Sequence, residues 1–485
     1  MNTSMIRYIL GNILKLQALF LLLPSGTALV YKEDTFVPYI VVAVSCFVVG
    51  WMMTWRKPQD TVFYLKEGCV ATALSWIVLS ISGAVPFVLT GEIPRFIDAL
   101  FEMVSGFTTT GSSILSDVEA LSRSSILWRS FSNWIGGMGV LVFLLAVIPM
   151  SGGSNINLMK AESPGPSVGK LVPKIRSTAR ILYLIYIGMT ILAFVLLVCG
   201  DMPVFDALAT SFSTAGTGGF GIKNDSMAGY SSYCIWVVAI FMMLFGVNFN
   251  AYYYMIFRNA KKAVKMEEVR WYFVIVALST FVIFTDLMQF YPTLSDAVRD
   301  AFFQVSTIIT TTGFATADFN LWSATSKAVL VLLMFIGGCA GSTAGGLKVS
   351  RLIILVKTIF KELTSYTHPK SIVKIKMDDK PIEREVVRSA NVYFITYMII
   401  FVVSVFCLTF ENKDLVTVFT AVTATFNNIG PGLEMAGPTA NFGHFTDFSK
   451  LVMIFDMLAG RLELFPLMML FHPELWQDTI KRKLK

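Results

Sequence analysis

The chain has 485 residues, of which 55% are hydrophobic and only 15% are charged, and its mean hydropathy is +0.66. This composition excludes an ordinary soluble protein and indicates a polytopic membrane protein. The net charge of +7 could suggest nucleic-acid binding, but membrane topology accounts for the positions of the basic residues, so no nucleic-acid partner is expected.

Two membrane helices are predicted at the N-terminus, within residues 1–57. The first apolar run, Ile9 to Val30, is too long for the hydrophobic part of a signal peptide and has no clear small-residue cleavage site. The second span is predicted at residues 37–54.

After this pair, a pattern of outer helix, half-helix and inner helix occurs four times, in residues 58–150, 151–260, 261–365 and 366–485. The predicted helices are 66–90, 98–110 and 125–149; 180–200, 206–217 and 233–257; 271–291, 297–311 and 325–357; and 391–410, 415–427 and 448–471. A half-helix of about 12 residues is roughly 18 Å long, about half of a bilayer. We therefore predict an all-α membrane fold with ten spans and four half-spans around a central pore.

Each half-helix leads into a short segment that ends in glycine. Gly111, Gly219 and Gly313 follow Asp98, Asp206 and Asp300 by the same number of residues, and the fourth copy has Thr417 in place of the aspartate and ends at Gly430. The aspartates are predicted as helix N-caps. The C-terminal ends carry the negative end of the helix dipole, so four converging ends favour a cation. A segment rich in threonine and glycine can leave its carbonyl groups free to replace the water shell of that cation.

Basic residues set the predicted orientation. They cluster after the second helix, between the repeats and at the C-terminus, in Arg56–Lys57, Lys160–Arg180, Arg258–Arg270, Lys357–Arg388 and Lys481–Lys485. All of these junctions fall on one side, which the positive-inside rule makes cytoplasmic, so the half-helices enter from outside. Two spans per repeat give every repeat the same orientation. This argues against the inverted repeats of rocking transporters and for a pore along the membrane normal.

Two features of the inner helices suggest a gate. The third inner helix is interrupted by Gly337–Gly346, and each glycine costs a helix about 1 kcal/mol. Irregular backbone at membrane depth requires cover from protein or a water-filled cavity, so a flexible loop in the ion path is expected, with close helix packing as the alternative. Arg461 is predicted near the middle of the last inner helix, facing the bundle interior. The alternative for this arginine is a structural ion pair with Asp456 or Glu463.

Neither a metal centre, a cofactor nor a catalytic group is expected. The six cysteines form no CxxC pair and the three histidines are far apart in sequence. Gly216–Gly221 matches GxGxxG, but it lies inside the second repeat rather than in a strand–turn–helix unit, so nucleotide binding is not expected.

The four glycine segments, the Asn427–Gly432 loop and the Gly460–Glu463 run resemble the superfamily of Trk, Ktr and HKT potassium transporters, and most closely its TrkH branch. The two extra N-terminal helices also suit that branch. The resemblance covers essentially the whole chain.

This resemblance implies K⁺ uptake through a filter with one glycine per repeat. It places the filter at Thr109, Thr110, Gly111, Thr217, Gly218, Gly219, Thr311, Thr312, Gly313, Asn428, Ile429 and Gly430, with the register of the second segment open by one residue. It places the gate at Gly337, Gly338, Gly341, Gly345, Gly346 and Arg461. It further implies a homodimer in the bacterial inner membrane, in contact with lipid, and a cytosolic nucleotide-binding regulatory subunit called TrkA.

The mode of transport is left open by the sequence. Movement down the electrochemical gradient is the leading hypothesis, and a Na⁺- or H⁺-coupled symporter is the alternative. From the loop and the arginine we expect two separable effects, one on how often the pore opens and one on its conductance.

Overall fold

The computed structural model describes residues 1–58, 64–139, 175–257, 260–371, 373–473 and 475. Its helices are α1 (Thr3–Tyr31), α2 (Phe36–Thr54), α3 (Leu65–Thr90), α4 (Phe96–Phe107), α5 (Arg123–Met138), α6 (Ile175–Cys199), α7 (Val204–Gly216), α8 (Ser232–Phe245), α9 (Phe249–Phe257), α10 (Ala260–Lys265), α11 (Glu267–Leu287), α12 (Leu294–Ile309), α13 (Ala324–Ile336), α14 (Val349–Thr367), α15 (Arg384–Leu408), α16 (Leu415–Phe426), α17 (Asp447–Arg461) and α18 (Phe465–Met469). Lys376–Met377 (β1) and Lys380–Pro381 (β2) form a small antiparallel hairpin.

The helices have the composition of a multi-pass membrane protein, as predicted. Within the described residues, six are long and apolar enough to cross a membrane, and the bent pair α8–α9 can be counted as a seventh. The six are α1, α2, α3, Ala179–Cys199 within α6, α11 and Arg384–Glu411, which contains α15. The last part of the predicted first inner helix, residues 140–149, lies outside the described residues, and so do the basic residues 160–174 and 481–485.

The N-terminal pair packs closely because two glycines face each other. A Cβ on Gly11 would lie 2.8 Å from the Cβ of Met53, and a Cβ on Gly50 would lie 2.6 Å from the carbonyl oxygen of Gly11. Small residues allow this approach of backbones in membrane proteins. The pair then packs against the first repeat through α3 and α5.

The four repeats share a local signal at the start of the inner helix. The caps of α5, α8, α13 and α17 are Ser122, Ser231, Ser323 and Thr446, and each hydroxyl accepts from the backbone N–H three residues later. Such a cap satisfies one of the free N–H groups of the first turn. The repeats can therefore be aligned from their caps as well as from their glycines.

The inner helices are shorter than predicted. They contain only 13 to 16 residues, or about 20–24 Å, which is less than the roughly 30 Å of a bilayer core. The third was predicted to be interrupted, and α13 indeed ends at Ile336. The other breaks were not predicted.

The second inner helix was predicted as one helix over 233–257, and this was wrong. It bends by 91° between α8 and α9. The N–H of Phe249 donates to the carbonyl of Gly341 in the third repeat at 3.0 Å, and Asn248 accepts from the N–H of Asn250 at 2.9 Å. These bonds replace the helical bonds that would have continued α8.

The fourth inner helix was also predicted too long, at 448–471. It ends at Arg461, and Glu463 and Leu464 follow with φ of +60° and +62°. Pro466 is then the second residue of α18. Because proline lacks an N–H group and clashes with the preceding turn, it cannot continue a helix. Arg461 is therefore the last residue of its helix rather than a residue near the middle.

The aspartates are not N-caps, contrary to the prediction. Asp98 and Asp206 lie in the first turns of α4 and α7, and Asp300 lies further inside α12. The first two still stabilise a helix, because acidic groups are favourable near its positive end. In the fourth copy Asp414 is the cap, and its side chain accepts from the N–H of Thr417 at 2.9 Å.

Candidate functional site

The four half-helices α4, α7, α12 and α16 end in the same way. The N–H groups of Thr110, Gly218, Thr312 and Ile429 each donate to the carbonyl five residues earlier, at 2.8–2.9 Å. This bond defines a Schellman ending, in which the residue just before the donor is left-handed. Those residues are Thr109, Thr217, Thr311 and Asn428, with φ of 53–56°.

This ending fixes the register of the second segment, which the sequence left open. Gly218 makes the same bond as Thr110, to Ser213, and Thr217 has the same φ as Thr109. Gly219 is therefore the equivalent of Gly111. A left-handed threonine is unusual, because a β-branched side chain costs roughly 1–2 kcal/mol or more in that conformation. Three such threonines in matching places indicate a backbone shape that the surrounding structure imposes.

The four segments form a closed ring through their glycines. Gly111, Gly219, Gly313 and Gly430 all have left-handed φ, between +63° and +104°. A Cβ on Gly111 would overlap the carbonyl oxygen of Gly218, one on Gly219 that of Thr312, and one on Gly313 that of Ile429. A Cβ on Gly430 would lie 3.0 Å from the carbonyl oxygen of Thr110, which closes the ring. The twelve residues predicted for the filter thus come together.

The carbonyl groups in this ring are left without protein partners. Among the hydrogen bonds between described residues, none is accepted by the carbonyls of Thr110, Gly218, Thr312 or Ile429. Buried carbonyl groups are nearly always paired. Four unpaired carbonyls at one constriction therefore form a set of oxygen ligands suited to a cation.

A polar cavity opens on one side of the ring. It has a volume of about 200 Å³, and its lining includes all four glycines. Ser112, Ser113 and Arg129 also contribute to its wall. An ion passing through the ring would cross this cavity.

A buried ion pair, which was not predicted from the sequence, supports the ring from behind. Arg129 on α5 and Glu102 on α4 are almost completely buried, with their closest N and O atoms 2.7 Å apart. Glu102 also accepts from the N–H of Ile114 at 3.0 Å, and the guanidinium of Arg129 lies 4.2 Å from the centre of the Phe220 ring. The pair thus connects the first and second segments. The charged residue Arg129 within a predicted membrane helix was the sequence feature that could have indicated this pair.

The glycine-rich segment lies against the ring, at the ends of the half-helices. The N–H of Gly345 donates to the hydroxyl of Thr311 at 2.6 Å, and a Cβ on Gly345 would lie 2.6 Å from the carbonyl oxygen of Asn427. Gly337, Gly341 and Gly346 have left-handed φ, and Gly338 packs against Ala344. The five predicted gate glycines therefore belong to one compact loop between α13 and α14, defined here as the intramembrane loop (residues 337–348).

Arg461 joins three repeats by donating to carbonyl groups. Its guanidinium contacts the carbonyl of Thr343 in the intramembrane loop at 2.8 Å and that of Gly137 on α5 at 2.7 Å, and it also donates to Gly136. The carboxylates considered for an ion pair have other partners. Glu463 pairs with Arg351, and Asp456 accepts from Ser404 at 2.6 Å. Arg461 therefore holds the intramembrane loop directly.

Metal coordination by side chains is not indicated where the structure is described. No group of three or more histidine, cysteine, aspartate or glutamate residues suited to a metal ion was found there.

Known proteins resemble the chain over its whole length. The family model described as a cation transport protein, TrkH, matches residues 39–483. A Salmonella typhimurium protein named "Trk system potassium uptake protein TrkH" is 33% identical, and the match covers 99% of this chain and 100% of that protein. A protein of the same name from Vibrio parahaemolyticus is 35% identical, with 98% and 99% covered.

The fold resembles a solved structure as well. The crystal structure of the potassium transporter TrkH from Vibrio parahaemolyticus superposes with a TM-score of 0.88, at 32% identity, and the match covers 98% of this chain and 100% of that one. These relatives are transport proteins rather than enzymes. The chain belongs to the TrkH family of cation transport proteins.

Proposed function

We propose that this protein is the membrane subunit of a K⁺ uptake system and that K⁺ crosses the ring of the four glycine segments. The observation that carries the proposal is the set of four unpaired carbonyl groups in that ring. All four segments present them with the same backbone conformation. Rings of backbone carbonyls replace the hydration shell of K⁺ in selectivity filters. The names of the relatives, which refer to potassium uptake, support the same ion.

The filter in this proposal consists of the twelve ring residues from Thr109 to Gly430 identified above. The half-helix C-termini add to their effect, because each carries about half a negative charge. K⁺ then needs no bound cofactor. Its movement is driven by the membrane potential, which is worth about 2.3 kcal/mol per charge per 100 mV.

The gate in this proposal is the intramembrane loop with Arg461. The loop touches the filter at Thr311 and lies beside Asn427, which directly precedes the fourth filter segment, so it lies where an ion would leave the ring. Arg461 holds the loop at Thr343 and places a positive charge beside the path. Opening requires that the loop moves away from these contacts.

Regulation is proposed to come from outside the chain. The system name of the relatives is consistent with a separate subunit, and we infer a cytosolic nucleotide-binding protein of the TrkA type that docks on the basic segments, including Lys357–Arg388. The protein would act as a homodimer in the bacterial inner membrane, with its basic side in the cytoplasm.

The decisive experiment is the ion selectivity of the purified protein in liposomes with Gly111→Ser. The new side chain would overlap the carbonyl of Gly218 and would be forced into a left-handed conformation. With roughly 1–2 kcal/mol of strain, we expect the K⁺ to Na⁺ permeability ratio to fall by about tenfold.

Gly188→Ser is the matched control, because a Cβ at Gly188 has no atom within 4 Å. An unchanged K⁺ to Na⁺ permeability ratio in Gly111→Ser would show that the ring does not lie in the ion path.

Flux measurements in the same liposomes distinguish uniport from symport. A coupled carrier would respond to an imposed Na⁺ or pH gradient at a fixed K⁺ driving force.

A further inference from the structure

Glu268 is a buried carboxylate that neither the filter nor Arg461 accounts for. It lies in the first turn of α11 and its residue is only 4% exposed. A buried carboxylate is costly unless hydrogen bonds compensate it. The groups that compensate it here therefore indicate what the side chain holds in place.

The partners of Glu268 come from three separate segments. Its Oε1 accepts from the N–H of Ala340 at 2.6 Å and from the N–H of Ser350 at 3.2 Å, and its Oε2 accepts from the side-chain amide of Asn248 at 3.2 Å. Ala340 lies in the intramembrane loop, Ser350 lies in the first turn of α14, and Asn248 lies in the break between α8 and α9. One side chain thus joins the loop and the start of α14 to the broken second inner helix.

The intramembrane loop has two separate sets of contacts with these side chains. In the first set, which includes the filter residue Thr311, Thr311 and Arg461 bind Gly345 and Thr343. In the second set, Glu268 binds Ala340 and, next to the loop, Ser350. Since Glu268 binds the loop away from the ring contacts, it can control the position of the loop without touching an ion at the filter.

We propose that Glu268 is a positioning residue that anchors the intramembrane loop in its closed position through the two backbone N–H groups. An effect of Glu268 on ion flow rests on the proposed function, whereas its role in holding the loop in place does not. It predicts that the acceptor atom and its reach matter, and that the negative charge does not.

Cys339 provides a direct readout of the loop position. It precedes Ala340, is completely buried and carries a free thiol. Its N–H donates to the carbonyl of Gly246 at 3.0 Å, so the thiol is buried only while the loop stays in place. A water-soluble thiol reagent should modify it faster when the anchor is lost.

The experiment compares Glu268→Asp with Glu268→Gln in the full-length protein in liposomes. Asp keeps the charge but is one methylene shorter. Gln keeps the reach and the Oε1 acceptor of both backbone N–H groups and loses only the bond from Asn248, because its amide nitrogen is a donor. The modification rate of Cys339 is followed by mass spectrometry of its peptide. We expect Asp to raise the rate by about tenfold or more and Gln to leave it within about twofold of the unchanged protein.

Glu385→Asp is the control for the chemical change, because Glu385 also lies in the first turn of a helix but is exposed. Cys339 modification that is equal in Glu268→Asp and the unchanged protein would overturn the proposal. Fast modification in Glu268→Gln would overturn it too, whatever the result in Asp, since an acceptor of the right reach would then not be sufficient without the charge.

Single-channel recordings of the same variants distinguish this proposal from the proposed function. If Glu268→Asp exposes Cys339 and raises open probability, both are supported. If it exposes Cys339 and open probability stays unchanged, the anchor is supported and the gating role of the loop is contradicted.

Discussion

Arg461 occupies a position at which the other repeats have glycine. Counted from the helix caps, the residues 15 positions later are Gly137, Gly246, Gly338 and Arg461. The guanidinium of Arg461 fills the space near Gly137 and reaches Thr343. Arginine in place of glycine in the fourth repeat therefore allows this repeat to contact Thr343, which the glycines of the other repeats have no side chain to do.

The contact with Thr343 means that the two effects expected from the sequence are not separable at Arg461. Arg461→Ala removes both a charge and a tie to the loop, so we expect conductance and open probability to rise together. Arg461→Lys keeps the charge, but a compact ammonium cannot hold the three carbonyls as the planar guanidinium does. We expect Arg461→Lys to raise open probability by several-fold with conductance nearly unchanged, measured by single-channel recording. An open probability equal to that of the unchanged protein would contradict a tethering role.

The residues proposed for the filter illustrate what a sequence can predict about the four glycine segments. The repeated glycines and the threonines before them were identifiable because they recur at equal spacing. The Glu102–Arg129 pair and the Glu268 anchor were not, because each depends on contacts between segments far apart in the chain. The partner of Arg461 was missed for the same reason, since nearby carboxylates were considered and distant carbonyls are its acceptors.

At the scale of elements, the inner helices depart most from the prediction. Hydrophobicity continues through 233–257 and 448–471, so a pattern of apolar residues indicates one helix in each case. The breaks arise from bonds to other repeats, as at Phe249, and from Pro466. Only the glycine-rich third break was visible, because glycine weakens a helix by itself.

The pair that joins α4 to α5 leads to a prediction about stability and selectivity. Breaking a buried ion pair by removing one partner typically costs about 3–5 kcal/mol, because the remaining charge stays buried. We expect Arg129→Leu to lower the free energy of unfolding in mixed micelles by this amount and to reduce K⁺ selectivity, because Glu102 also holds Ile114 behind the first segment.

Asp447→Asn is the comparison for this variant. Asp447 pairs with Arg95 at 2.5 Å, but the two side chains are 44% and 60% exposed. Exposed pairs contribute at most about 1 kcal/mol. Equal losses of stability in the two variants would show that the buried pair has no special role.

At the scale of the whole molecule, the repeats close on themselves in chain order. The ring contacts connect segments one to two, two to three, three to four and four to one. Outside the ring, Lys450 on α17 pairs with Asp98 on α4 at 2.5 Å, which joins the last repeat to the first. The fold class and the number of repeats were predictable because the repeat pattern itself determines them.

The side of the protein that we propose to be cytoplasmic is connected to the intramembrane loop through α11. Glu267, next to the anchor Glu268, pairs with Lys357 on α14 at 2.6 Å, and its N–H donates to Asp378 in the turn of the β-hairpin at 2.7 Å. A regulatory protein that moved this hairpin would therefore act on the helix turn that holds the loop. This connection depends on the proposed orientation, which can be tested directly.

The orientation can be tested with a native cysteine. Among the six cysteines, Cys199 is exposed, and it is the last residue of α6, whose first two turns contain Arg176 and Arg180 at the end of the basic segment. With that segment in the cytoplasm, Cys199 must lie at the outer surface. We expect a membrane-impermeant maleimide to label the protein in right-side-out vesicles and to label it much less in inverted ones. Cys199→Ser should abolish the labelling, which assigns it to this residue. Labelling of Cys199 only in inverted vesicles would show that the orientation is opposite to the proposed one. The polar cavity beside the ring would then face the cytoplasm.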